Sequence, residues 1–67
     1  MVNRSRLRKF MLEFFNDDEL ADLIFDYFPD ARPLMGAGMT LGEKTRALID
    51  FAARHDRLDH LVIVVEK

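Results

Sequence analysis

The sequence predicts an all-α fold, a compact antiparallel bundle of four to five short helices. Three observations predict it. Apolar residues recur at three- and four-residue spacing along most of the chain. Two boxes of the N-x-x-E and T-x-x-E type, Asn16–Glu19 and Thr40–Glu43, mark helix starts. Both prolines and two of the three glycines fall within one segment, residues 29–39. With 67 residues, 49% of them apolar, the chain has room for a single domain spanning 1–67 with one core. A domain this small buries only roughly 60% of the surface of its unfolded chain. That leaves little framework around which to build a deep catalytic cleft.

The first helix is expected from about Arg6 to Phe15, with Ser5 as its N-cap. Leu7, Phe10, Met11 and Phe14 stand at i, i+3, i+4 and i+7, one apolar face of a helix, with Leu12 and Phe15 off it. Asn16 caps the second helix and Glu19 closes its box; Asp17, Asp18 and Glu19 crowd a first turn where the helix dipole favours negative charge. This helix should reach Phe28, because Pro29 disfavours helical geometry in the residue before it. Between Leu20 and Phe28 nearly every residue is apolar, which predicts a central helix buried on most sides. Asp22 and Asp26 are the exceptions, in line with Asp18 at i, i+4 and i+8.

Residues 29–39 should be irregular, with a short helical turn around Arg32–Met35. From Thr40 a further helix is expected over Leu41–His55, its apolar face built from Leu41, Leu48, Phe51 and Ala52. Asp56 reads as the N-cap of the last helix, with Asp59 at its third position, and Leu58, Leu61, Val62 and Val65 carry the helical spacing on. The β-branched run Leu61–Val65 would also suit a strand, but a lone strand has nothing to pair with in a helical chain, so helix is the expectation. Leu20, Leu23, Ile24, Leu48 and Phe51 are the expected core.

The residues offer little chemistry for catalysis. The one serine, Ser5, lies in a basic arm where capping accounts for it, so no nucleophile–base–orienter set forms around it. His55 and His60 stand five apart, whereas two metal ligands on one helix want three or four; they read as exposed histidines beside capping acids. The M-G-A-G-M segment, Met35–Met39, lacks the lysine, the spacing and the preceding strand of a phosphate loop. No enzyme activity, metal or cofactor is therefore expected. The chain has no cysteine, no apolar stretch near the ~18 residues of a membrane span, and no apolar run after its basic start as in a signal peptide. A cytoplasmic protein is expected.

Charge is more informative in its distribution than in its net value of −2. Arg4, Arg6, Arg8 and Lys9 come without an acid among them, and Asp17, Asp18, Glu19, Asp22, Asp26 and Asp30 come without a base. The Asp18, Asp22, Asp26 stripe forms one expected interaction face. The basic set, of which Arg4, Arg8, Arg54 and Arg57 are the chosen members beside Lys44 and Arg46, forms the other. If the two lie on different sides of the bundle, copies meet head to tail, and such a contact closes into rings or grows into filaments. The competing reading is a small nucleic-acid-binding transcriptional regulator using the basic arm. The acidic overall balance, and acids Glu43 and Asp50 on the only candidate recognition helix, weigh against it.

The order of these features resembles a known family. A basic first helix is followed by F-N-D-D-E-L (Phe15–Leu20), L-I-F-D-Y-F (Leu23–Phe28), G-M-T (Gly38–Thr40), A-L-I-D-F-A-A-R-H-D (Ala47–Asp56) and R-L-D-H-L-V (Arg57–Val62). This is similar to the bacterial effector-associated domains, also described as bacterial death-like domains, over nearly the whole chain. The ending Arg54-His55-Asp56-Arg57-Leu58-Asp59-His60-Leu61 has an Asp where the family commonly has Gly, and the turn is expected to survive it. The resemblance implies a death-fold-like bundle. It also implies a protein–protein interaction domain that recruits effectors in bacterial conflict systems by associating with a like domain, either a second copy of itself or a different domain of similar fold. It brings no catalytic residues.

Overall fold

The computed structural model of the protein describes residues 3–66. Four α-helices and one 3₁₀ helix follow in the order α1 (Arg4–Phe14), α2 (Asp17–Tyr27), the 3₁₀ helix (Pro29–Leu34), α3 (Leu41–Arg54) and α4 (Leu58–Val65). The described residues contain no strand, so the fold is the expected small helical bundle.

Helix α1 begins two residues earlier than expected. Asn3, not Ser5, is its N-cap: the Asn3 side chain accepts a 3.0 Å hydrogen bond from the Arg6 N–H, and its carbonyl accepts one from the Leu7 N–H at 3.0 Å. Asn caps at least as well as Ser, and the earlier start adds intrahelical hydrogen bonds. Of the predicted apolar stripe only Leu7 and Met11 are buried. Phe10 and Phe14 remain 39% and 58% exposed, stacked on each other with ring centroids 4.7 Å apart. Val62 and Val65 of α4 approach Leu7 and Phe10 around a shallow dimple, while Phe14 has little packed over it.

Both sequence-marked helix starts form complete capping boxes. At α2 the Asn16 side chain accepts from the Glu19 N–H at 2.8 Å, and Glu19 accepts from the Asn16 N–H at 3.1 Å. At α3 the Thr40 hydroxyl accepts from the Glu43 N–H at 3.2 Å, and Glu43 accepts from the Thr40 N–H at 3.0 Å. Each pair satisfies two backbone donors that a helix start would otherwise leave open. The Thr40 N–H, helped by the Thr40 side chain, holds the Glu43 carboxyl below its ordinary value.

Helix α2 ends at Tyr27, with Phe28 as its C-cap. Phe28 is wholly buried, and so is Ala31 of the 3₁₀ helix that follows. Pro33 within that segment has no N–H to donate, which favours a short tight helix over a continued α-helix. Met35 and Met39 are both partly buried; Met35 packs against the core, and the Met39 sulfur accepts from the Gly36 N–H at 2.9 Å.

Helix α3, not α2, is the centre of the bundle. It packs against α1, α2, α4 and the 3₁₀ helix, and it buries Thr45, Leu48, Ile49, Phe51 and Ala52. Thr45 is a buried polar side chain, satisfied by donating to the Leu41 carbonyl at 2.8 Å. α2 buries one line only, Leu20, Leu23 and Ile24, and leaves Phe25 and Tyr27 exposed. The reason is length and face: α3 has 14 residues with a broad apolar side, whereas α2 has 11 and carries acids round much of its circumference. All five residues expected in the core, Leu20, Leu23, Ile24, Leu48 and Phe51, are buried.

The α3–α4 turn differs from expectation in detail. Asp56 is not an N-cap. It has φ 55°, the left-handed region, and ends α3. Its N–H donates to the Ala53 carbonyl at 3.3 Å, and the next N–H, of Arg57, reaches the Ala52 carbonyl at 2.7 Å. These two bonds are the Schellman arrangement in which a Gly commonly stands at the left-handed position. Asp tolerates that region better than most side chains, so the turn is kept. Arg57 then caps α4 without a side-chain hydrogen bond. The β-branched run is helical through Val65, burying Leu61, Val64 and Val65 at i, i+3 and i+4.

Candidate protein-interaction surfaces

The acidic stripe lies along the outer side of α2, opposite its buried line. Asp18, Asp22 and Asp26 are all exposed, and no ion pair ties any of them to another described residue. The neighbouring Asp17 differs: its carboxylate lies 3.5 Å from the Lys44 ammonium, linking the starts of α2 and α3. An exposed pair of this kind contributes about 1 kcal/mol or less. Phe25 stands on the same outer side, 62% exposed, with the Arg32 guanidinium 5.3 Å from its ring centre.

The basic residues are dispersed differently from the sequence expectation. Arg4 and Arg8, one turn apart on α1, meet Arg46 of α3 around a groove of about 330 Å³. Buried Ile49, Ser5 and Asp50 complete the lining. Arg54 does not join this groove. It borders a separate one of about 410 Å³ that also contains Asp30 and Asp50, so its charge is offset locally. Arg57 is half-buried and turned inward, its guanidinium 4.8 Å from the Phe28 ring centre and donating to the Tyr27 carbonyl at 3.2 Å. Arg46 belongs beside Arg4 and Arg8, which the spacing within each helix could not reveal because it depends on how α1 packs on α3.

Several of these charges oppose the local helix dipole. α1 opens with Arg4 and Arg6 and has no acid in its first turn. α2 closes with Asp26 and has no base in its last turn. A misplaced charge at a helix end costs about 0.3–1 kcal/mol. Local violations of this kind are commonest where function retains them.

Other chemistry is sparse. Ser5 is exposed in the first turn of α1, and both histidines are exposed, His55 beside Phe51 and His60 beside Phe28. No group of three or more His, Asp or Glu among the described residues is placed to hold a metal ion. No helix among them is long and apolar enough to cross a membrane.

Compared with known proteins, residues 7–67 match the family described as effector-associated domain 7. No curated protein and no solved structure matches the chain.

Proposed function

This chain belongs to the effector-associated domain 7 family, and from that premise we propose that it is a cytoplasmic recruiting module. It works by binding a domain of like fold and so brings an effector into a bacterial conflict response. The observation that carries this reading is the separation of charge that forms no ion pair among the described residues: Asp18, Asp22 and Asp26 on α2, and Arg4 and Arg8 on α1. Opposed surfaces of this kind steer and orient partners more than they add raw affinity. Arg54 and Arg57 stand off the groove that Arg4 and Arg8 border, and in this reading they contribute at most to its periphery. The death-like character of the fold is part of the same proposal.

The test is light scattering with size-exclusion chromatography across concentration and salt, on the wild type and on Asp22→Arg. Growth into oligomers or filaments at low salt is expected, because charge contacts at an exposed rim are screened over about 10 Å at 0.1 M salt. Asp22→Arg should abolish it while circular dichroism shows an intact helical fold. A strict monomer under every condition overturns like-with-like association.

A further inference from the structure

Resting on that like-with-like reading, we infer that Phe25 is the apolar anchor of the contact and that it inserts into the Arg4–Arg8–Arg46 groove of a second copy of this chain. An exposed aromatic on a soluble helix is unremarkable alone, but Phe25 is set apart by its surroundings. Among the described residues it is the most exposed large apolar side chain, at 62%, and it shares the outer side of α2 with Asp18 and Asp22, with Asp26 adjacent. The Arg32 guanidinium lies over the ring at 5.3 Å. That contact restricts the ring and lowers the entropy lost when a partner immobilises it.

The groove complements this ridge in size and in charge. Its volume of about 330 Å³ exceeds the roughly 150 Å³ of an engineered cavity that holds benzene, so this open groove has room for one phenyl ring. Ile49, only 3% exposed, is the one apolar residue of the lining, while Arg4, Arg8 and Arg46 against Asp50 leave it with an excess of positive charge. The three α2 carboxylates outnumber the single positive charge that Arg32 brings with the ring. The Arg8 guanidinium lies against Gly42, where a Cβ would stand 3.0 Å from it. Aromatic anchors in pockets and charged rims are the usual division of labour in protein contacts.

Ridge and groove share no residue and belong to different helices, α2 on one side and α1 with α3 on the other. The contact is therefore heterologous, each copy offering a ridge to one neighbour and a groove to the next. That geometry gives a test which a contact of identical surfaces would fail. Phe25→Ala should weaken self-association about thirtyfold, the scale of an aromatic anchor, with the helical spectrum unchanged because Phe25 is outside the core. Two double variants, Asp22→Arg with Phe25→Ala and Arg8→Glu with Arg46→Glu, should each be monomeric. Mixed in equal amounts, they should form a one-to-one dimer that grows no further, since one retains a groove and the other a ridge. Circular dichroism on each confirms folding, and a double variant that unfolds is replaced by its single substitutions in the same mixing experiment. If the wild type assembles and Phe25→Ala assembles equally well, or if the mixture stays monomeric, this inference is overturned and like-with-like association stands. If the wild type never assembles, both fall.

Discussion

The guanidinium of Arg57 sits 4.8 Å from the ring centre of Phe28, the largest fully buried side chain in the core. From the same position it donates to the Tyr27 carbonyl at 3.2 Å, at the last residue of α2. One side chain thus joins the α3–α4 turn to the end of α2 and covers a core aromatic.

Arg57→Ala should therefore destabilise the fold by about 1–3 kcal/mol, combining a lost cation–π contact with a lost charge-assisted hydrogen bond. Arg57→Lys should fall between, since an ammonium keeps the charge but not the planar stacking. Urea denaturation reads this directly as a lower midpoint at unchanged slope. If Arg57→Ala leaves stability unchanged, the side chain is not part of the scaffold.

Asp56 holds a left-handed backbone with φ 55°. Asp56→Gly should remove that strain and raise stability by about 0.5–1 kcal/mol, or a few degrees in Tm for a domain of this size. Asp56→Val should lose stability instead, because a β-branched residue is disfavoured there. Thermal unfolding of the two variants checks the opposite signs.

Glu43 is fully exposed, yet its carboxyl is held below the ordinary value of 4.5 by the Thr40 N–H and then by the Thr40 side chain. A group depressed in the folded state stabilises it above the unfolded value, and that contribution is lost as pH falls through the folded value. The α3 cap should therefore weaken only on the acid side, below the usual carboxylate range, and be indifferent to pH near neutrality. Thr40→Ala should move the Glu43 carboxyl back toward its ordinary value, as followed by NMR titration.

Gly42 occupies the first turn of α3, where Gly is a poor helix former. Gly42→Ala should raise stability by up to about 1 kcal/mol, while the added Cβ, 3.0 Å from the Arg8 guanidinium, moves that head group aside. A more stable domain with weaker self-association would separate the groove's role in binding from any role in folding. Equal or stronger association would show that Arg8 adjusts without consequence.

Features legible in the sequence are those decided within one helical turn. The Asn16–Glu19 and Thr40–Glu43 boxes join residues three apart, so neighbouring residues alone specify them. Strongly periodic apolar positions such as Leu20, Leu23, Ile24 and Leu48 fall in the core because every packing of an amphipathic helix buries its main face. Competition between two nearby caps was less legible: Asn3 prevailed over Ser5 because an earlier start adds hydrogen bonds, which residue preference alone does not weigh.

What the tertiary structure decided is which faces are covered and which charges meet. Phe14 repeats the spacing of Leu7 and Met11 yet stays exposed, because burial needs a neighbouring element and periodicity supplies only a direction. Arg57 and Arg46 looked alike as members of a basic set, but one turns inward onto Phe28 and the other completes a groove with Arg4 and Arg8. Asp56 reads as the start of the last helix, and only its backbone hydrogen bond to Ala53 and its neighbour's to Ala52 show that it ends α3. The sequence by itself determined the four α-helices, the two boxed starts and the five main core positions. Their packing alone decided the surfaces, since a surface is assembled from residues far apart in the chain, whose distances no local pattern encodes.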